Sequence, residues 1–370
     1  MADFRDEVPA YQTVRMTVPE APVAALADTD AWQARSAYPQ LHFAGGPAFG
    51  VAHEREEGGW ELHSYFGAPA PQDARDGLSP YFRRRGKEAE DAGDRRAARK
   101  WLAAAGRMDR EAVDEVAVLG TRYRVVRADK FIRTGLLGPE GPRPTDPDPG
   151  EVGWGSKVPD PAAGFVIDPA VATGLSEGIL KLELLEAARQ GGTVPDEVRA
   201  DALRAAQSHP GGVLLPAAFV AAELSRGQWG PLSIETEPTP QAARDWLVGH
   251  LRVSVPWRLD LGPQERAVYA EGADRLDDER ADELTVAGRR LRIVRVERLV
   301  RVGADGPEGP RPSDPDPQLP VLAQDKHLRE QGLLDDQDDD KPAELGEDGE
   351  RFMQLFHDEE ERRKTRYRQS

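Results

Sequence analysis

Between Asp114 and Arg133 the chain reads DEVAVLGTRYRVVRADKFIR, with apolar residues recurring at alternate positions on either side of Gly120. A period of two predicts two β-strands joined by a tight turn at the glycine. DELTVAGRRLRIVRVERLVR, Asp282–Arg301, repeats the pattern about Gly288. Strands connected this closely pair antiparallel. Ahead of each pair, PQDARD and PQAARD place a proline at a helix start and then residues of helical density. In the first case the helical character continues through RRRGKEAEDAGDRRAARKWLAAAG, longer or more broken than in the second. Further upstream, PAFGVAH and WELHSYF flank the turn-like EREEGG as a hairpin, and WGPLSIE is the counterpart of its second strand. Helices are predicted at Ala24–Ala37 and Asp196–Gln207, the latter opened by Pro195 and Asp196.

These elements form two series. A shift of 168 residues aligns Leu119–Gly135 with Ala287–Gly303 without a gap. A shift of 169 brings PQDARDGL onto PQAARDWL, Trp60 onto Trp229 and Ser64 onto Ser233. The expectation is an α+β fold: a tandem duplication of an α-β-β-α-β-β unit with antiparallel strand pairs and pseudo-two-fold symmetry. The period is far too long for a solenoid. The first unit spans residues 1–149 and the second 195–317. Residues 150–194 are an inter-copy segment with a helix, LSEGILKLELLEAAR, and 318–370 an acidic tail. DDQDDDKPAELGEDGE in that tail is expected to be disordered. The closing ERFMQLFHDEEERRKTRYR is expected to form a helix that frays. Its alternative is docking through Phe352, Leu355 and Phe356, on a partner or on the protein's own body.

Composition narrows the classes. The 370 residues are 39% hydrophobic and 31% charged, which suits a globular core with a wet surface. No apolar run reaches the roughly 18 residues of a membrane helix. The N-terminal stretch lacks a signal-peptide pattern, so a cytoplasmic location is expected and a membrane is not. The absence of cysteine excludes disulfides, thiolate catalysis and cysteine-ligated zinc or iron–sulfur clusters. The net charge of −17 argues against nucleic acid as a partner.

Familiar chemistry is scarce. GLSEG (Gly174–Gly178) fits the G-x-S-x-G pattern of a nucleophile elbow, but no strand runs directly into it. Ser176 reads instead as a helix N-cap. His53 and His63 could approach each other on paired strands, yet no histidine spacing matches a metal motif. No phosphate-binding loop is present, and neither a metal nor a cofactor is expected. Trp60 and Trp229 read as packing residues. Five basic positions recur in both units: Arg122, Arg124, Arg127, Lys130 and Arg133 match Arg290, Arg292, Arg295, Arg298 and Arg301. Internal pairing with carboxylates is the favoured reading, and an anion-binding sheet face the alternative.

One feature departs from ordinary loop behaviour. GPEGPRPTDPDP (Gly138–Pro149) returns as GPEGPRPSDPDP (Gly306–Pro317), changed only at Thr145/Ser313. Eleven of its twelve positions are identical, against six of fifteen in the strands just before it, although loops usually drift faster than strands. Five prolines make it stiff and extended. Candidate binding residues are Glu140, Arg143, Asp146 and Asp148, their counterparts Glu308, Arg311, Asp314 and Asp316, and the strand arginines Arg124, Arg127, Arg292 and Arg295. The phrases either clasp the opposite unit, form a recognition surface for a protein partner, or hold a cation through Asp-x-Asp. The last lacks the rest of a calcium loop.

The paired GPEGPRP(T/S)DPDP phrases, the PQxARD helix starts and the arginine-rich strands resemble an uncharacterised actinobacterial family, a domain of unknown function, over most of residues 1–320. The resemblance implies a cytoplasmic protein and supplies no activity, cofactor or catalytic residue. The functional expectation is a non-enzymatic binding or scaffolding protein that uses the duplicated loops. The alternatives are an enzyme of unrecognised type with a site between the copies, and nucleic-acid binding.

Overall fold

A computed structural model describes residues 8–63, 66–190, 194–332 and 346–367. Of the acidic stretch read as disordered, residues 335–345 lie outside the described residues, whereas Glu347–Glu350 form the first turn of the last helix. The fold is mixed α+β, built on a curled antiparallel sheet. In chain order the first elements are α1 (Pro22–Ala37), β1 (Gln40–Phe43), β2 (Ala48–Glu54), β3 (Trp60–Leu62), α2 (Pro71–Asp76), α3 (Leu78–Asp91), α4 (Arg95–Met108), β4 (Glu115–Val118), β5 (Thr121–Gly135) and β6 (Gly138–Pro139). Between the units come β7 (Val166–Ile167) and α5 (Leu175–Gln190). Then follow α6 (Asp196–Ser208), β8 (Gly211–Ser225), β9 (Gln228–Pro231), α7 (Pro240–Gly249), α8 (Val255–Arg258), α9 (Pro263–Glu279), β10 (Glu283–Val286), β11 (Arg289–Gly303) and β12 (Gly306–Pro307). Two helices close the chain, α10 (Val321–Glu330) and α11 (Glu347–Tyr367). No helix among the described residues is long and apolar enough to cross a membrane.

The sheet runs β7-β3-β2-β5-β11-β8-β9, with β1, β4 and β6 also pairing β5, and β10 and β12 also pairing β11. Two of its long strands, β5 and β11, meet at the centre: Phe131 pairs with Glu297, Lys130 with Arg298, Asp129 with Leu299 and Ala128 with Val300. Lys130 and Arg298 occupy equivalent positions, 168 residues apart, so this pairing is symmetric about them. Side chains alternate across a strand. The odd-numbered residues of β5 and β11 therefore face the helices, and the even-numbered ones the opposite side. Leu291 and Ile293 pack with Leu247, Leu251 and Leu276 of the helical layer, whereas Val294 and Val296 pack with Val220 and Ala222 on the other face.

Two expectations need correction. Ser176 is not an N-cap. Helix α5 already begins at Leu175, and the Ser176 amide and hydroxyl donate to the carboxylate and carbonyl of Asp28, both at 2.8 Å. The terminal helix is docked on the body rather than frayed. Arg363 of α11 is buried between Asp245 and Asp277, with Nη2 2.7 Å from Asp245 Oδ1. Phe352 packs on Trp257, ring centroids 5.6 Å apart, and Phe356 lies against Gly249.

Candidate functional site

The two proline-rich phrases cross over. Each leaves the sheet after two paired residues, β6 or β12, and runs along the opposite unit. Gly138–Pro149 docks on β11 and α7: the amide of Arg295 donates to Glu140 O at 2.9 Å, and Arg295 Nε donates to Asp146 Oδ2 at 3.0 Å. Gly306–Pro317 docks on β5 and α2 in the same way. The amide of Arg127 donates to Glu308 O at 2.9 Å, and Arg127 Nε to Asp314 Oδ2 at 2.9 Å. Within each phrase the arginine turns back on its own glutamate, Arg143 to Glu140 and Arg311 to Glu308, both at 2.6 Å. The same arginines reach the partner strand, at Glu297 (3.1 Å) and Asp129 (3.4 Å). Arg124 Nη1 donates to Pro307 O at 3.0 Å, and Arg292 Nη1 to Pro139 O at 2.6 Å.

The last aspartate of each phrase caps a helix that belongs to the other unit. Gln241 N donates to Asp148 Oδ1 at 2.8 Å, and Gln72 N to Asp316 Oδ1 at 2.9 Å. A carboxylate at a helix N-terminus satisfies an orphan amide and complements the dipole. Arg244 and Arg75 then pair with these carboxylates, at 2.8 and 2.5 Å. All twelve candidate residues are thus brought together, in two constellations of six with equivalent contacts. Their charged groups face one another across the two units.

The electrostatics follow from burial. Each phrase–strand cluster sets two guanidinium groups against three carboxylates: Arg143 and Arg295 against Glu140, Asp146 and Glu297, and Arg311 and Arg127 against Glu308, Asp314 and Asp129. Burial by itself raises the Glu297 carboxyl, yet Arg295 and Arg143 hold it below the ordinary value. Asp129 is likewise depressed against its burial by Arg127 and Arg311. An indole closes each cluster at the phrase entry. Arg124 lies 4.7 Å from the Trp60 ring centroid and Arg292 5.2 Å from that of Trp229. The tryptophans are packing residues here, and the repeated arginines are engaged internally.

The opposite face of the sheet holds a cavity of about 310 Å³. Its walls are Ile132, Val220, Ala222, Trp229, Val294 and Val296, and its rim is the β1–β2 loop at Ala44–Pro47. Lys130 projects into it, only 6% exposed, with Nζ donating to the carbonyl of Ile234 at 3.1 Å. Burial and, after it, the charge of Arg298 depress the amine below the usual lysine range. Arg298, the cross-strand neighbour, is 1% exposed and donates to the carbonyls of Pro216 and Phe66.

The equivalent space in the first unit is filled. There Phe66 is fully buried against Gly50, at a distance that leaves no room for a Cβ. Leu62, Ala162 and Ile167 complete the plug. In the aligned stretches WELHSYF and WGPLSIE, Leu62 and Phe66 correspond to Pro231 and Glu235. The second unit has no ring at Glu235, and the space stays open. Sequence reading groups Lys130 with the arginines and does not single it out. Two signals marked it: lysine is one basic residue in six of this chain, and position 130 is where the repeated basic series changes from arginine to lysine.

Two further cavities have mixed linings. One, of about 450 Å³, lies between α1, α5 and the first phrase and is bordered by Asp28, Glu177, Arg143 and Glu297. Burial raises the Glu177 carboxyl there. Another, of about 440 Å³, is bordered by His63, Asp73, Tyr81 and Arg84. The rings of His53 and His63 do meet, centroids 4.9 Å apart, and burial with His53 pushes His63 down to about 4. Among the described residues no group of three or more histidine or acidic side chains is placed to hold a metal.

Residues 21–317 match a family model described as a family of unknown function, DUF5954. No curated protein and no solved structure matches the chain.

Proposed function

The chain belongs to the DUF5954 family, whose function is unknown, and from its geometry we propose that it is a small-ligand-binding protein whose site is the Lys130 cavity. The observation that carries this reading is a nearly wholly apolar space with one buried lysine amine at its base. Small-molecule sites have this composition: apolar walls give affinity, and a few placed polar groups fix orientation. At about 310 Å³ the cavity is at the small end of that class. It suits a compact, flat, mostly apolar molecule with one acceptor or anionic group that replaces the Ile234 carbonyl at Lys130.

In this reading the phrases are internal clasps and not a partner surface. They fix the register of β5 against β11, and that register sets Lys130 of the first unit beside the walls of the second. The reciprocity of the clasps also supports a tandem duplication of units 1–149 and 195–317. Divergence then left one cavity plugged by Phe66 and the other open.

The test is ligand-induced thermal stabilisation. 1-Naphthoate, an apolar ring system with one carboxylate, is expected to raise the unfolding temperature, and more so as its concentration rises. The shift is expected to shrink in Lys130→Met and to vanish in Val220→Phe, which fills the cavity. No stabilisation of the unaltered protein by 1-naphthoate or by neutral analogues of its size would overturn the reading.

A further inference from the structure

We infer that Lys130 captures a small apolar carbonyl compound, an aldehyde above all, as an imine. This deepens the proposed function and rests on the cavity being a binding site. The position asks for an amine rather than merely a cation. Its equivalent in the second unit is Arg298, and the other four pairs of basic positions in the series are arginine on both strands; Lys130 and Arg298 face each other across the central pairing. A guanidinium can pair and donate but does not attack carbonyl carbon at neutral pH; an amine does, once unprotonated.

The surroundings favour that unprotonated form. Nζ meets the neutral carbonyl of Ile234, and among the described residues no carboxylate lies within ion-pair distance of it. The adjacent charge is that of Arg298, a like charge held in place by carbonyl oxygens. A lysine that is desolvated and set next to another cation is the arrangement that activates amine nucleophiles, and the depressed lysine follows from those two causes in that order. The walls at Val220, Val294 and Val296 would pack against the body of the aldehyde.

The chemistry balances without a further reactant. The nitrogen lone pair attacks the carbonyl carbon and a C–N bond forms. The carbonyl oxygen takes up a proton from nitrogen to give the carbinolamine. That hydroxyl leaves as water with the second amine proton, and C=N forms. Nothing is oxidised or reduced, and added water reverses the capture.

The experiment traps the imine on the full chain. Benzaldehyde and sodium cyanoborohydride are added at neutral pH, and each lysine's benzylation is read by peptide mass mapping. Lys130 is expected to be labelled about tenfold more than exposed lysines such as Lys87 and Lys100. 1-Naphthoate should protect it, and Val220→Phe, which keeps the lysine, should abolish the preference. Protection in the unaltered protein needs no variant to fold. Even labelling across the eight lysines, with stabilisation by 1-naphthoate intact, would overturn the imine and leave the binding site standing. Even labelling without that stabilisation would overturn both.

Discussion

Gly138 and Gly306 start the two phrases at φ of +112° and +109°, a conformation that glycine alone adopts without strain. Each also lies against an indole: a Cβ on Gly138 would overlap Trp229, and one on Gly306 would overlap Trp60. Gly120 provides a control, since its φ is +94° but its surroundings are open. Gly120→Ala should therefore cost only backbone strain, about 1–3 kcal/mol. Gly138→Ala and Gly306→Ala should cost a further amount of about 1–3 kcal/mol for overpacking. Chemical denaturation of the three variants checks this, and equal losses would mean that the indoles yield without cost. The same scale explains the open cavity, which exists because one position is Phe66 in the first unit and Glu235 in the second.

At the scale of elements the clasp is the unit of argument. Each cluster holds three carboxylates and two arginines, so its members are not equivalent. Asp146→Asn leaves two charges of each sign and an oxygen that can still accept a hydrogen bond; a loss of about 1–3 kcal/mol is expected. Arg295→Met leaves three buried carboxylates with Arg143 as their one paired cation and Arg133 acting on Glu297 from further off, and about 3–5 kcal/mol is expected. The pH dependence separates them further. Glu297 is held below its ordinary pKa by Arg295, so its contribution is present above the unfolded carboxylate pKa and is lost as the pH falls through the folded value. In Arg295→Met that acid loss should diminish, because the ionised form of Glu297 loses its strongest counter-charge. Urea titrations at neutral and acid pH would show it, and a larger loss in Asp146→Asn than in Arg295→Met would contradict the charge count. Much of this element was legible in the sequence. The near-identity of the phrase's two occurrences marked it as held, its prolines as stiff, and its acids as matching the repeated arginines. The partners of individual residues were not legible, because 66 acidic residues offer many pairings for each arginine. Strand β8 was hidden for another reason. GGVLLPAAFVAA has no alternation and contains a proline, which reads against a strand. The structure places Pro216 where the pairing of β8 with β11 slips by a residue, so the missing amide costs no ladder bond. The Lys130 cavity was not legible at all, since it depends on what Glu235 fails to fill.

For the whole molecule, the interlocking decides whether the units can stand alone. The direct strand pairing between them is short, from Ala128–Phe131 to Glu297–Val300. Beyond it the units share buried apolar contacts, such as Leu62 and Phe66 with Val213 and Leu215, and exchange phrases, each of which adds a helix-terminal carboxylate and further counter-ions to the other unit. A fragment ending at Gln190 would leave Arg75 and Arg127 without Asp316 and Asp314. A fragment starting at Val194 would leave Arg244 and Arg295 without Asp148 and Asp146. Each guanidinium keeps one carboxylate of its own fragment, at Asp114, Asp129, Asp282 or Glu297, but loses its other partner; breaking buried pairs is costly, so neither fragment is expected to fold cooperatively by itself. Co-expressed, the two should assemble one to one, because every interaction between them survives the cut. Their unfolding midpoint should lie below that of the intact chain and rise with protein concentration, since the cut turns an intramolecular docking into a bimolecular one. Calorimetry on the separate and mixed fragments decides the matter. Two independent, concentration-insensitive transitions would show self-sufficient domains joined by a tether. A single concentration-dependent transition would show that each phrase stabilises the opposite unit, and that the cavity between Lys130 and the walls of the second unit forms only in the assembled pair.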